Sequence, residues 1–279
     1  MNRGAHGTSR RSIRLLLILA IVVLAILILA MPRAEAAIEN ARENIAYGIS
    51  PTPARAFAYG ETHFNASDPA DYNINRAQYF FNLAAAKDPS LPYLFHELAR
   101  ISFLRGHFTQ AIAQINFQIS MHGDSEPNSY YVRGLIEGYM GNYVAAVSDY
   151  QHFLQFDPND WAAINDYAWV LLKDGRAHDA EVATESALTT FPNNPWLLNT
   201  NATALFEMGN LKQAQIRAEA AVKAGATITQ KQWLTAYPGN DPMVAAEGIA
   251  TFQNAAIANM HTIALAIASS TVQSKLYHE

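Results

Sequence analysis

The sequence predicts an all-α protein made of stacked helix pairs, and a fixed period is what predicts it. Four glycines, Gly106, Gly141, Gly175 and Gly209, stand 35, 34 and 34 residues apart. Five residues after each comes an alanine (Ala111, Ala146, Ala180, Ala214), and seven before each comes another small residue (Ala99, Gly134, Ala168, Ala202). Between these landmarks apolar residues recur at i, i+3 and i+4, as in Tyr167, Ala168, Leu171 and Leu172, which is the spacing of one helix face. Self-similarity at a fixed period of this length marks a repeat architecture.

Composition narrows the functional classes. The chain has 279 residues, of which 50% are hydrophobic and 15% charged, far too apolar for a disordered chain and long enough for one or two domains. With no cysteine there are no disulfides, iron–sulfur clusters, thiolate zinc sites or cysteine nucleophile. Charge is divided unevenly. Arg3, Arg10, Arg11, Arg14 and Arg33 precede Ala37, against Glu35 alone, whereas the remainder carries 14 basic and 23 acidic residues. An acidic body lacks the positive footprint that nucleic-acid binding requires.

The first element follows from the N-terminal charge. Behind a basic tail at 1–14 lies Leu15–Met31, 17 residues without a polar side chain. As a helix this run is roughly 25 Å long, slightly short of a ~30 Å hydrocarbon core, a gap that a snorkelling Arg14 and local thinning close. It reads as a single-pass transmembrane helix or signal anchor in the cytoplasmic membrane. The arginines ahead of it keep the N-terminus inside and place the body outside the cytoplasm. The alternative is a signal peptide cut near Ala36, where Ala34-Glu35-Ala36 fits a peptidase site, which would release the body as a secreted protein. Residues 32–57, with Pro51 and Pro53, read as a short helix leading into a linker.

The repeat region follows. Each unit reads as two antiparallel helices joined by a tight turn in which glycine supplies the left-handed conformation. The two small positions fall where the helices cross, and larger side chains there would push the backbones apart. Asn194-Pro195-Trp196 reads as a helix start, an asparagine cap followed by proline at the first helical position.

These units resemble tetratricopeptide repeats, whose pattern has a small residue at position 8, glycine at 15, alanine at 20, aromatics near 17 and 24, and proline at 32. The unit at 127–160 matches best, with Gly134, Gly141, Tyr143, Ala146, Tyr150 and Pro158 in place; 161–194 and 195–228 follow it and 92–126 precedes it. A degenerate unit at 58–91 keeps Ala77, Phe81, Ala84 and Pro89. The last proline is replaced by Ala226 and is missing near Gly123, which predicts a longer turn at 123–126 and a fading repeat after Gly225. The resemblance implies a right-handed superhelix. Residues 229–279, with Ile249, Phe252, Ala256, Met260, Ile263 and Ile267 at helical spacing, are expected to cap the open face of the last repeat.

Catalytic chemistry finds little support. His96-Glu97 resembles the start of a zinc-protease motif, but Arg100 stands where the second histidine would be. No dinucleotide, phosphate-loop or nucleophile-elbow motif occurs, and Asp157 and Asp160 around Pro158 read as turn and cap residues. No catalytic residue, metal ligand or cofactor is assigned, and no small-molecule substrate is evident.

In the resembling family the first helix of each unit lines a groove. Carried onto this chain, that implies partner-binding positions at Tyr93, His96 and Arg100, then Tyr131 and Tyr139, then Asn165 and Trp169, then Trp196 and Asn199. Rings suit the side chains of an extended peptide and amides its backbone, although for Tyr131, Tyr139 and Trp169 packing between repeats is an equally open reading. The expectation is a membrane-tethered scaffold that binds a protein or extended peptide. A self-associating envelope protein and an exported enzyme with a repeat arm remain as alternatives.

Overall fold

The computed structural model describes residues 10–276, and within them not the side chains of 10–16, 20, 23, 26–30, 32, 33 and 271–276. The first nine residues of the basic tail at 1–14, the side chains of its remainder, many of those in the apolar run at 15–31, and the last three residues therefore lie outside what is described. The chain divides into two compact units, 1–55 and 56–279. The first is dominated by one helix, α1 (Arg10–Ile49), which ends at the Ser50–Thr52 break. This differs from the short helix and linker read from 32–57. Among the described residues no helix is long and apolar enough to cross a membrane, and no strand occurs.

The second unit is built of helix pairs joined by turns and loops. Its pairs are α2 (Pro53–Phe64) with α3 (Ile74–Lys87), α4 (Leu94–Leu104) with α5 (Phe108–His122), and α6 (Asn128–Tyr139) with α7 (Tyr143–Phe153). They continue with α8 (Trp161–Lys173) and α9 (Ala177–Thr190), then α10 (Pro195–Glu207) and α11 (Leu211–Gly225). A short α12 (Gln230–Ala236) and a long α13 (Ala245–Leu276) end the chain.

The turn glycines explain why the pairs close so uniformly. Gly106, Gly141, Gly175 and Gly209 hold φ of 72°, 83°, 76° and 78°, a region costly for any residue with a Cβ. At each, the amide of the next residue reaches back to the carbonyl five residues earlier: His107 to Ser102, Asn142 to Glu137, Arg176 to Leu171 and Asn210 to Leu205, all at 2.8–2.9 Å. This bond satisfies a carbonyl that the helix end would otherwise orphan. Helix starts are capped as the sequence suggests: Asp160 accepts from the amides of Ala162 and Ala163, and Asn194 from Leu197 with Pro195 first in the helix.

All eight small repeat positions are buried: Ala99, Ala111, Gly134, Ala146, Ala168, Ala180, Ala202 and Ala214. A Cβ on Gly134 would lie 3.2 Å from the Tyr150 ring and 3.3 Å from the Ala146 carbonyl oxygen, so helices α6 and α7 touch almost backbone to backbone there. Around these contacts sit the large core side chains Ile101, Ile115, Ile136, Tyr150, Leu171 and Leu197.

The pattern loosens at both ends. In the first pair the loop at 65–73 is long, and the close crossing falls on Gly60, where a Cβ would meet Phe81 at 2.4 Å. The lost proline near Gly123 gives way to a 3-10 turn at Gly123–Ser125. The buried Glu126 steadies it, its Oε2 accepting from the Tyr93 amide at 2.9 Å and from Gln118 Nε2 at 2.5 Å. After Gly225 the repeat stops. Thr229 and Gln232 form a reciprocal capping box on α12, and α13 then packs on α11 with Ile263 fully buried beside Ala202, Ala214 and Ala218.

Candidate functional site

Helices α4, α6, α8 and α10 lie side by side, each in contact with the next. Their shared face forms a cleft of about 580 Å3, walled by Phe103, Tyr131, Leu135, Tyr139, Asp166, Trp169 and Thr200 and closed at one edge by Tyr237, Pro238 and Asn240. The residues of each wall recur about one helix-pair apart, so stacking the pairs is what brings them together.

Its rings form a continuous track. Phe103 meets Tyr139 edge-on at 5.0 Å between centroids, and Tyr139 meets Trp169 at 5.7 Å. Tyr139 is 60% exposed, although Phe103, Phe108 and Trp169 all contact its ring. Lys173 Nζ sits 5.8 Å from the Trp169 ring centre.

One carboxylate faces these rings. Asp166 Oδ2 accepts the Tyr131 hydroxyl at 2.8 Å, and Oδ1 accepts Asn165 Nδ2 at 3.3 Å. Burial pushes its carboxyl up to about 6, against the pull of those two hydrogen bonds and with help from the charge of Asp160. Burial, then the Asp166 charge, raises Tyr131 well above the ordinary phenol range, and both also raise Tyr139 and Tyr237.

The sequence-predicted positions divide into two sets. Tyr131, Tyr139, Asn165, Trp169 and Arg100 line the cleft. His96 does not: it is buried, with Nδ1 3.3 Å from Ser129 Oγ, and desolvation lowers it to about 3. Tyr93 caps α4 in a left-handed conformation, φ 59°, with its ring against His96. Trp196 is buried, stacked on Trp161 at 5.1 Å and covered by Phe252 at 5.3 Å. Asn199 is engaged by α13, its Oδ1 accepting Asn259 Nδ2 at 3.0 Å. The amide of Asn165 is committed too, since its Oδ1 accepts the Thr200 hydroxyl at 2.8 Å. Asn165 and Asn199, expected to offer amides to a peptide backbone, thus each commit Oδ1 to a neighbouring helix.

Residues that the sequence reading passed over complete the site. Asp166 stands next to Asn165 but is not among the groove positions that the resemblance implies. The turn after α12 folds back onto the cleft, where Arg100 Nη2 donates to the Pro238 carbonyl at 2.6 Å and Tyr72 Oη to the Gly239 carbonyl at 2.9 Å. Arg100 also pairs with Glu97 at 2.7 Å and lies 4.8 Å over the Phe64 ring. Among the described residues no three potential metal ligands converge.

A family model described as tetratricopeptide repeat matches residues 171–235. A tetratricopeptide repeat protein from Parabacteroides merdae is similar in structure, TM-score 0.54 at 14% identity, over 79% of this chain and 89% of that one. The fold is the tetratricopeptide-repeat fold. The MamA protein shares it as well, TM-score 0.51 at 15% identity, over 61% of this chain and 92% of its own. No curated protein matches the sequence. In the tetratricopeptide frame α4, α6, α8 and α10 are the first helices of their repeats, and the cleft lies on the face they share.

Proposed function

We propose that this protein is a membrane-tethered tetratricopeptide scaffold that holds an extended segment of a partner protein in the cleft between α4 and α10. One observation carries the reading: the first helices of four successive repeats converge on one open cleft through which runs a track of aromatic rings, Phe103, Tyr139 and Trp169. Apolar pockets with a few placed polar groups are where binding concentrates, and rings bury area at small entropic cost. The test is a pull-down with the Tyr139→Ala/Trp169→Ala double variant against wild type, after crosslinking in membranes identifies a neighbour. Loss of capture at unchanged helical circular dichroism is the expected result, and undiminished capture refutes the cleft.

The tether is the second part of the proposal. It is supported by the sequence of Leu15–Met31 behind four arginines, which favours an inside N-terminus and an extracytoplasmic body. A phosphatase fused after residue 57, active only when exported, tests the orientation, and resistance to alkaline extraction tests the anchor. An inactive fusion overturns the export. A soluble body that begins near Ala37 replaces the anchor with a cleaved signal.

A further inference from the structure

The cleft holds one negative charge without a positive partner. Asp166 accepts hydrogen bonds only from neutral donors, the Tyr131 hydroxyl and the Asn165 amide. Among the described residues no lysine or arginine stands beside it. The basic residue in the cleft wall, Arg100, is already committed to Glu97 and to the Pro238 carbonyl. A half-buried carboxylate kept off water by aromatic walls is costly to desolvate, and a cation entering the same space offsets that cost. The rings add to the attraction, because the faces of tyrosine and tryptophan carry negative potential. Trp169 already attracts Lys173 from within the chain.

We propose that the cleft takes a cationic side chain, a lysine or arginine of an extended partner segment, with Asp166 as its counter-charge and Tyr131, Tyr139 and Trp169 as its walls. This rests on reading the cleft as a peptide groove and adds the chemistry of what enters it. The size fits, since about 580 Å3 accommodates a long side chain and its flanking backbone. An acidic side chain meets Asp166 as a like charge and is rejected, which is how such a site gains specificity.

The test uses the full chain in mild detergent and three immobilised decapeptide pools, randomised except for a central lysine, norleucine or glutamate. The lysine pool should capture about tenfold more protein than the norleucine pool, and the glutamate pool the least. Asp166→Asn should bring the lysine-to-norleucine ratio to about one, and Asp166→Glu should restore most of it. Tyr139→Leu, at an exposed position, should lower lysine capture several-fold without disturbing the fold. Equal capture of lysine and norleucine by wild type overturns the cation reading and leaves the groove standing. Capture of no pool overturns the groove, and this proposal with it.

Discussion

Tyr131 and Asp166, 35 residues apart in sequence, are joined by a hydroxyl-to-carboxylate hydrogen bond of 2.8 Å between neighbouring first helices. One repeat supplies the donor and the next the acceptor, so the bond ties the stack together as well as shaping the cleft.

Removing that donor should be felt as lost stability. Tyr131→Phe is expected to cost about 1–2 kcal/mol, since a hydrogen bond to a charged group is lost and the carboxylate stays half-buried. Tyr150→Phe makes the contrast, because the Tyr150 hydroxyl is buried without a hydrogen-bond partner and its removal should be close to neutral. Urea midpoints of the two variants check the difference, and equal losses would contradict the assignment.

Two groups, the half-buried Asp166 and the buried His96, make stability depend on pH in opposite senses. Asp166 titrates near 6 when folded, above its ordinary 3.8, so between these values the folded state holds a proton that the unfolded chain lacks. Its contribution therefore grows as pH falls from 7 toward 4. His96 titrates near 3 when folded, below its ordinary 6.5. There the unfolded chain holds the extra proton, and stability is lost as pH falls. Between pH 7 and 5 the urea midpoint of Asp166→Asn should drop more steeply than wild type, and that of His96→Gln less steeply.

The two kinds of repeat glycine should fail for different reasons. Gly141 has φ 83° and open space around its Cβ position, so Gly141→Ala should cost about 1–2 kcal/mol of backbone strain alone. Gly134 is ordinary in backbone but pressed on Tyr150 and Ala146, so Gly134→Leu is an overpacking change worth ~3 kcal/mol or more. Gly141→Asn should recover part of its loss, since asparagine tolerates the left-handed region. Gly134→Ala should be milder than Gly134→Leu. Thermal melts distinguish the two patterns.

The turn after α12 has its own weak point. At Gly239, φ is 81°, and a Cβ would lie 2.7 Å from Arg100 Nη2 and 2.8 Å from Phe64 Cζ. Gly239→Val should therefore release residues 237–241 from the cleft edge, which hydrogen exchange and limited proteolysis would register as faster exchange and new cleavage in that segment. Unchanged protection would show that the turn is held by other contacts.

Much of the helical array was legible because its cause is local and periodic. Gly106, Gly141, Gly175 and Gly209 recur because a left-handed turn demands them, and the alanines because crossing helices do. Tyr139 and Trp169 could be placed on a first-helix face by counting alone. Trp196 could not: it occupies such a face too, but Phe252 from α13 lands on it, and nothing in the period says where a non-repeating tail will dock. The Pro238–Gly239 turn was invisible for the same reason, since its contacts reach back across several repeats, and Asp166 was missed because its role depends on a pairing with Tyr131 that the period does not specify.

Those distant contacts bear on how the protein is made. Tyr72 waits 167 residues for the Gly239 carbonyl, and Arg100 waits 138 for that of Pro238. Neighbouring repeats can stack as they leave the ribosome, and Phe81 and Arg100 reach the Phe64 ring early, but the edge of that ring beside Gly239 stays uncovered until most of the chain has been translated. For that interval the nascent chain offers an aromatic edge to other chains, and the last turn to emerge is the one that withdraws it.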